Sequence, residues 1–457
     1  MSLHADQLTF TVEQRQVTVD FSLQPGEVRG LYGPSGIGKS TLLALLAGQT
    51  TAGIKRGHVC CDDQPLADLP ANQRAGQVSL MFQNPDLQFC TATPRTELYF
   101  CLENQAVPQK QMAGKVAWAL DFCGITALAD QTLVTLSGGE KQLAALACCV
   151  VLESRYLLLD EPFANLDAQT SQFIVEKLQQ LQRERQVGIL LIDHQLANTA
   201  SWVDQWYQFE AQQIHLTTRQ MLQQQEQALQ QQLPAVTKAD QRQSTAVVLQ
   251  WQQFVVPVGN QRIRFPDQRL TCGQLIGITG RSGLGKSTFL KSLLGLTPHT
   301  GQLLVNGRRV KKCRRHLFKQ VSWVMQNPQD QFIAVTVAEE LANGGQNQDV
   351  AETLTQLKLT DKAQVSPFQL SQGQQRRLAV ACFLARPVKL LLVDEPTYGQ
   401  DLANAWQVMT MLRTCAQQGT LVLVVSHDRP LLQQFCDQVW DLNQQLEVAD
   451  EAVESDS

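Results

Sequence analysis

No apolar stretch in this sequence approaches the about eighteen residues that a membrane-crossing helix needs. The amino end, MSLHADQLTF, lacks the basic-then-apolar order of a secretory signal. Together these absences predict a cytosolic protein and leave docking onto a membrane protein open. No C-x-x-C pair occurs among the twelve cysteines, and no Cys/His cluster has zinc-ligand spacing. Cys60-Cys61 and Cys148-Cys149 are adjacent, and the others are scattered through apolar segments. They read as reduced, mostly buried small hydrophobes. A dominant charge is missing too. The net charge is −4, so no global basic field gathers nucleic acid or anionic lipid. One basic run, RRVKKCRRHLFK from Arg308, lacks interleaved aromatics for stacking on bases and reads as a solvated face. What remains is 44% apolar and 18% charged, which suits a core-forming chain of two or three domains.

What is present is present twice. GPSGIGKST begins at Gly33 and GRSGLGKST at Gly280. Each follows an apolar strand-like run and precedes an apolar helical run, the context a phosphate-binding loop requires. Its glycines let consecutive amides and the helix's positive end point at a phosphate. Candidate phosphate contacts are Gly33, Pro34, Ser35, Gly36, Gly38, Lys39, Ser40 and Thr41, and Gly280, Arg281, Ser282, Gly283, Gly285, Lys286, Ser287 and Thr288. Lys39 and Lys286 supply a point charge, and Ser40 and Ser287 can ligate Mg²⁺. The runs YLLLDEP and LLLVDEP end in Asp160-Glu161 and Asp394-Glu395. Continuous apolar runs read as buried parallel strands, and their carboxyl ends are where open α/β sheets place ligands. The first acid of each pair can hold Mg²⁺, and the second can orient or deprotonate an attacking water. GILLIDH and LVLVVSH carry His194 and His427 just past another buried strand, placed to contact a terminal phosphate. LSGGEKQ from Leu136 and LSQGQQRR from Leu370 open helices with anion-ready amides.

The register points to one ancestor. Lys286 lies 247 residues after Lys39, and Gln326 lies 243 after Gln83. Ser371 and Asp394 each lie 234 after Ser137 and Asp160. Nine residues are therefore lost between the repeated QNP loop and the LS motif of the second copy.

These motifs resemble those of ATP-binding cassette (ABC) ATPases, two in one chain, over nearly its whole length. The resemblance implies an α/β fold: in each domain a RecA-like parallel-sheet core, an antiparallel β subdomain and an inserted helical subdomain. It implies ATP and Mg²⁺ as cofactors, and a head-to-tail pair in which each P-loop faces the other domain's signature. Those signatures are Ser137, Gly139 and Glu140, and Ser371, Gly373 and Gln374. Gln83 and Gln326 would reach the Mg²⁺ and the attacking water. Metal contacts are then Ser40, Gln83 and Asp160, and Ser287, Gln326 and Asp394; Glu161, His194, Glu395 and His427 would be catalytic. Gln372 stands where the family has its first signature glycine, and Glu140 where it usually has Gln. The family stacks adenine on an aromatic after an early strand. The first copy offers Val12 there and the second Trp251 or Phe254, which predicts unequal nucleotide affinity.

The strings QNPDLQFCTATPRTEL and QNPQDQFIAVTVAEEL are similar to energy-coupling factor (ECF) transporter ATPases, which drive uptake of vitamins and of cobalt or nickel ions. This implies a transmembrane scaffold subunit and a substrate-capturing membrane subunit as partners, at the cytoplasmic face of the membrane, and no nucleic acid. Asp86, Phe89, Asp330 and Phe332, beyond the loop glutamines, are expected to meet the scaffold. A fused pair leans towards thiamine or its pyrimidine precursor. The alternative is a soluble tandem ABC ATPase acting on the ribosome as a translation factor. The expected domains are 1–218 and 244–448, joined by a Gln-rich, charge-balanced linker at 219–243 and followed by an acidic disordered tail at 449–457.

Overall fold

The unalternating apolar runs are strands buried on both faces. Leu275–Thr279, Leu390–Asp394 and Leu421–Val425 are buried at every residue, as are Tyr156–Asp160 and Gly188–Ile192. A computed structural model describes residues 2–12, 15–163, 166, 168–193, 202, 203, 205–210, 212–234, 236, 246–259, 261–281, 283–312, 315, 317–345, 349–384, 386, 388–445, 447 and 448. The chain divides into two compact units, Met1–Gln231 and Gln232–Ser457.

Each unit holds five parallel strands in the same order. In the first they run Gln205–Glu210, Val28–Tyr32, Gly188–Ile192, Tyr156–Asp160, Val78–Met81. In the second they run Gln438–Asp441, Leu275–Thr279, Leu421–Val425, Leu390–Asp394, Val321–Val324. This order sets the P-loop strand and the acid-ended strand on either side of one central strand, with all three carboxyl ends at one edge. Each unit also has an antiparallel meander, built on Leu3–Val12 or Val247–Val258.

The units differ in how meander and core join. In the first, the hairpin Gln205–Glu210 and Gln213–Thr218 pairs one arm with the P-loop strand and the other with Arg15–Leu23, giving one eleven-stranded sheet. In the second, the strand Gln438–Asp441 runs into a helical turn, Leu442–Gln445, and then Glu447–Val448 pairs with the meander, leaving sheets of six and five strands.

The helical insertions are Pro94–Asn104 and Gln109–Phe122 in the first unit, Val337–Gly344 and Val350–Leu357 in the second. Eleven and fourteen residues become eight and eight, which matches the nine lost from the register. Of the linker, Arg219–Gln232 is a helix that seats Leu222 in the first unit's core and joins Tyr32 to Glu226 at 2.8 Å. Most of 235–245 and the tail 449–457 lie outside the described residues. In the basic run, Arg308–Arg309 is an exposed edge strand; residues 313, 314 and 316 also lie outside. The described cysteines are free, and most are buried.

Candidate nucleotide site

Both P-loops turn from strand to helix through glycines that no other residue would replace without strain. Gly38 has φ 110° and Gly285 φ 81°, the left-handed region. A Cβ on either would stand 2.6 or 2.4 Å from a methyl of Val12 or Val258. The lysines brace the loops: Lys39 Nζ donates to the carbonyls of Gly33 and Pro34 at 2.8 and 2.9 Å, and Lys286 Nζ to those of Gly280 and Arg281 at 2.8 and 3.0 Å. Thr41 and Thr288 stand in the first turn of the following helices, Lys39–Leu46 and Lys286–Leu293. In the second unit the Arg281 amide donates to Asn443 Oδ1 at 3.2 Å. Ser282 lies outside the described residues.

The acids stand beside these loops. Asp160 bonds the Ser40 hydroxyl and Asp394 the Ser287 hydroxyl. Burial, reinforced by Glu161, pushes Asp160 up to about 7, against the pull of Ser40 and Lys39. Burial likewise raises Asp394 to about 6, with the Ser287 bond opposing it. Glu395 is raised to about 7 by burial, opposed by Lys286, the His427 amide and Arg376. His427 Nε2 lies 3.3 Å from Glu395 Oε1, and its amide donates to Oε2 at 3.3 Å. His194 lies outside the described residues, so the first unit's histidine has no geometry to report.

The QNP loops are braced at both ends, by residues that motif reading passed over. Gln88 Oε1 accepts from the Phe82 amide at 3.3 Å, and Gln331 Oε1 from the Met325 amide at 3.2 Å. Asn84 and Asn327 cap the following 3₁₀ turns through their side-chain oxygens. Beyond them, buried Glu97 accepts from the Cys90 and Thr91 amides at 3.0 and 2.7 Å, and Glu340 from those of Ile333 and Ala334 at 2.9 and 2.7 Å. Both added pairs share the 243-residue spacing of Gln83 and Gln326, so the register alone could have found them.

Two expectations are corrected here. Trp251 and Phe254 offer no face to adenine. Both are buried in the meander's core, and the Trp251 indole donates to the Pro266 carbonyl at 2.8 Å. The residue matching Val12 is Val258, one position short of the 247-residue register. The loop aromatics also turn inward. Phe332 is buried edge-on to Phe368, and Phe89 packs on the first unit's helical core. Asp86 and Asp330 stay exposed, Asp86 beside Lys141 at 2.7 Å and Asp330 accepting from Asn327 Nδ2 at 2.9 Å, so the correction falls on the aromatics alone. Exposed apolar side chains on these segments are Leu87, Ile333 and Val335.

The signatures begin helices Gly138–Val151 and Gln372–Leu384. Their fifth residue beyond the serine reaches back to the acids. Gln142 Nε2 donates to the Glu161 carbonyl at 3.1 Å. At the same register, Arg376 donates to the carbonyls of Glu395 and Gln326 at 2.6 and 3.1 Å and lies 4.5 Å over the Tyr398 ring.

A family model described as "ABC transporter" matches residues 17–164 and 266–398. The chain belongs to the ABC transporter family. A Bacillus subtilis (strain 168) relative, "Putative HMP/thiamine import ATP-binding protein YkoD", is 33% identical over 96% of this chain and 89% of its own length. A Methanosarcina acetivorans relative, "Putative ABC transporter ATP-binding protein", is 27% identical over 92% of this chain and 84% of its own. Among solved structures, a chain of "ribosome-bound archaeal Pelota and ABCE1" superposes with TM-score 0.72 at 20% identity, over 95% of this chain and 76% of that one; at this identity it speaks for the fold alone.

This family is an ATPase family, and its shared fold puts P-loop and acids in reach of one another. The side chains present fit Mg²⁺ and a nucleotide. Asp394 Oδ1 is buried with no hydrogen-bond partner among the described residues, beside the Ser287 hydroxyl, which suits a hard cation preferring oxygen ligands. Among the described residues, no helix is long and apolar enough to cross a membrane.

Proposed function

We propose that this ABC ATPase is the motor subunit of an ECF-type importer for a vitamin or a transition-metal ion, working at the cytoplasmic face of the membrane. The observation that carries the reading is the likeness to the B. subtilis import ATP-binding protein along nearly the whole of both chains. Lys39 and Lys286 would bind the terminal phosphates. Ser40, Gln83 and Asp160, and Ser287, Gln326 and Asp394, would hold Mg²⁺. Bound there, Mg²⁺ neutralises charge developing on the phosphates. Glu161 and Glu395 would orient and deprotonate the attacking water, with His194 and His427 at the terminal phosphate. In the second unit His427 Nε2 lies 3.3 Å from Glu395 Oε1, which supports this pairing.

The partner would be a transmembrane scaffold with a separate solute-capturing subunit, seated on exposed Leu87, Ile333 and Val335 beside the QNP loops. Because Gln88, Gln331, Glu97 and Glu340 brace these loops, each would move as one piece and carry its apolar residues with it. The test is purification of the tagged full chain from detergent-solubilised membranes. Retention of integral membrane proteins, lost on changing Leu87, Ile333 and Val335 together to Asp, is expected. Co-fractionation with ribosomes and no membrane protein retained would overturn the reading in favour of a translation factor.

A further inference from the structure

The second P-loop is held from outside by a hydrogen bond that the first P-loop cannot form. The peptide that opens it is gripped on both sides. Lys286 Nζ donates to the Arg281 carbonyl at 3.0 Å, and the Arg281 amide donates to Asn443 Oδ1 at 3.2 Å. Asn443 is fixed in turn. Its Nδ2 and its own amide donate to Asp441 Oδ1 at 2.8 and 3.1 Å. A carboxylate only accepts, so it takes the Nδ2 side and leaves Oδ1 for the loop. The other oxygen of Asp441 accepts from Arg429 at 3.3 Å. Asp441 stands opposite Thr279, at the end of the strand paired with the P-loop strand, so the clamp is built on the core sheet.

In the first unit the 247-residue register puts Pro34 at the place of Arg281. Proline has no amide proton to donate, and its ring fixes φ near about −65°. Gln208 stands opposite Tyr32 as Asp441 stands opposite Thr279, so Glu210 takes the place of Asn443. Glu210 accepts from Gln208 instead. Donor and acceptor have thus changed together.

We propose that Asn443 is a positioning residue for the second P-loop. When a terminal phosphate draws Lys286 off the loop carbonyls, Asn443 keeps the Arg281 peptide in place and the loop's amides set for phosphate. In the first unit the ring of Pro34 does this work covalently. The proposal rests on the reading of Lys286 and its loop as an ATP site.

The experiment titrates methylanthraniloyl-ATP with Mg²⁺ into the full-length Lys39→Ala chain, in which the Lys286 loop reports. Asn443→Ala is added in three backgrounds: the unaltered loop, Arg281→Ala, which keeps the amide, and Arg281→Pro, which removes it and supplies the ring. Each background is its own reference, so any contact made by the guanidinium cancels. Asn443→Ala is expected to weaken binding about threefold to tenfold in the first two, the range of one hydrogen bond. In the Arg281→Pro chain it adds no further loss. A residue that merely shaped the turn Leu442–Gln445 would cost the same in all three, and that result overturns the proposal. So does an affinity that Asn443→Ala leaves undiminished in the unaltered loop, or an Arg281→Pro chain that no longer binds. Binding that survives Lys39→Ala and Lys286→Ala together is a different failure: it overturns the reading of these loops as ATP sites, and this proposal with it.

Discussion

Gln142 and Arg376 occupy one register position in the two units and do one job in two ways. Each ties a signature helix to the carbonyl of the glutamate that ends the acid strand. The glutamine makes a single neutral hydrogen bond there. The arginine adds a bond to the Gln326 carbonyl and lies over Tyr398. In the second unit, then, signature helix, glutamate and QNP loop share one buried cation, and a shift in any of them strains the others. The first unit shows that the fold does not require this. Sequence duplication preserved the joint and let its stiffness diverge.

The strongest way to break the comparison is to remove the bases. Glu161→Gln and Glu395→Gln are each expected to lower steady-state ATP turnover at least about tenfold, and the double substitution about 100-fold or more, as loss of a general base should. If one single variant keeps wild-type turnover, only the other unit hydrolyses ATP. A middling effect tests the joint. Arg376→Met strips donors from two carbonyls and should destabilise the chain by about 3 kcal/mol, whereas Gln142→Leu strips one bond and should cost about 1 kcal/mol. Thermal unfolding of the two variants side by side reads this, and equal losses would mean that the guanidinium adds nothing to the amide.

The smallest effect is in pH. Asp160, Asp394 and Glu395 have folded-state values raised to about 7, 6 and 7. Between the ordinary carboxylate range near pH 4 and those values, the folded chain holds protons that the unfolded chain has released. Without nucleotide and Mg²⁺, stability should therefore fall as pH rises from about 4 to about 7 and level off above. Asp160→Asn should flatten that fall more than Asp394→Asn does. An Asp160→Asn chain whose melting temperature follows the wild-type pH slope unchanged would contradict the raised value of Asp160.

Much of this was legible beforehand because glycines, acids and apolar runs report local demands. A P-loop needs its glycines whatever surrounds it, and five unalternating apolar residues have few homes besides a doubly covered strand. The register even gave the length of the shortened insertion. What was not legible depended on direction. Trp251 and Phe254 lie near the strand position that should meet adenine, yet strand alternation and a one-residue offset turn both into the core. Phe332 sits in a polar loop and still packs inward, because Phe368 waits for it. Nor did the letters QNPDLQF say that the second glutamine closes its own loop, since a side-chain bond to a backbone amide six residues back leaves no pattern of its own.

Glu161 and Glu395 have φ of 51° and 49°, in a left-handed conformation that side chains other than glycine seldom adopt. Holding such a residue there costs on the order of 1 kcal/mol or more. Burying its carboxylate adds to this. A glycine at either position would relax the backbone and leave no charge to bury, so on the proposed reading the better-folded protein would be the inert one. Both halves of the duplicated chain keep a glutamate in this conformation, so both carry the same local cost.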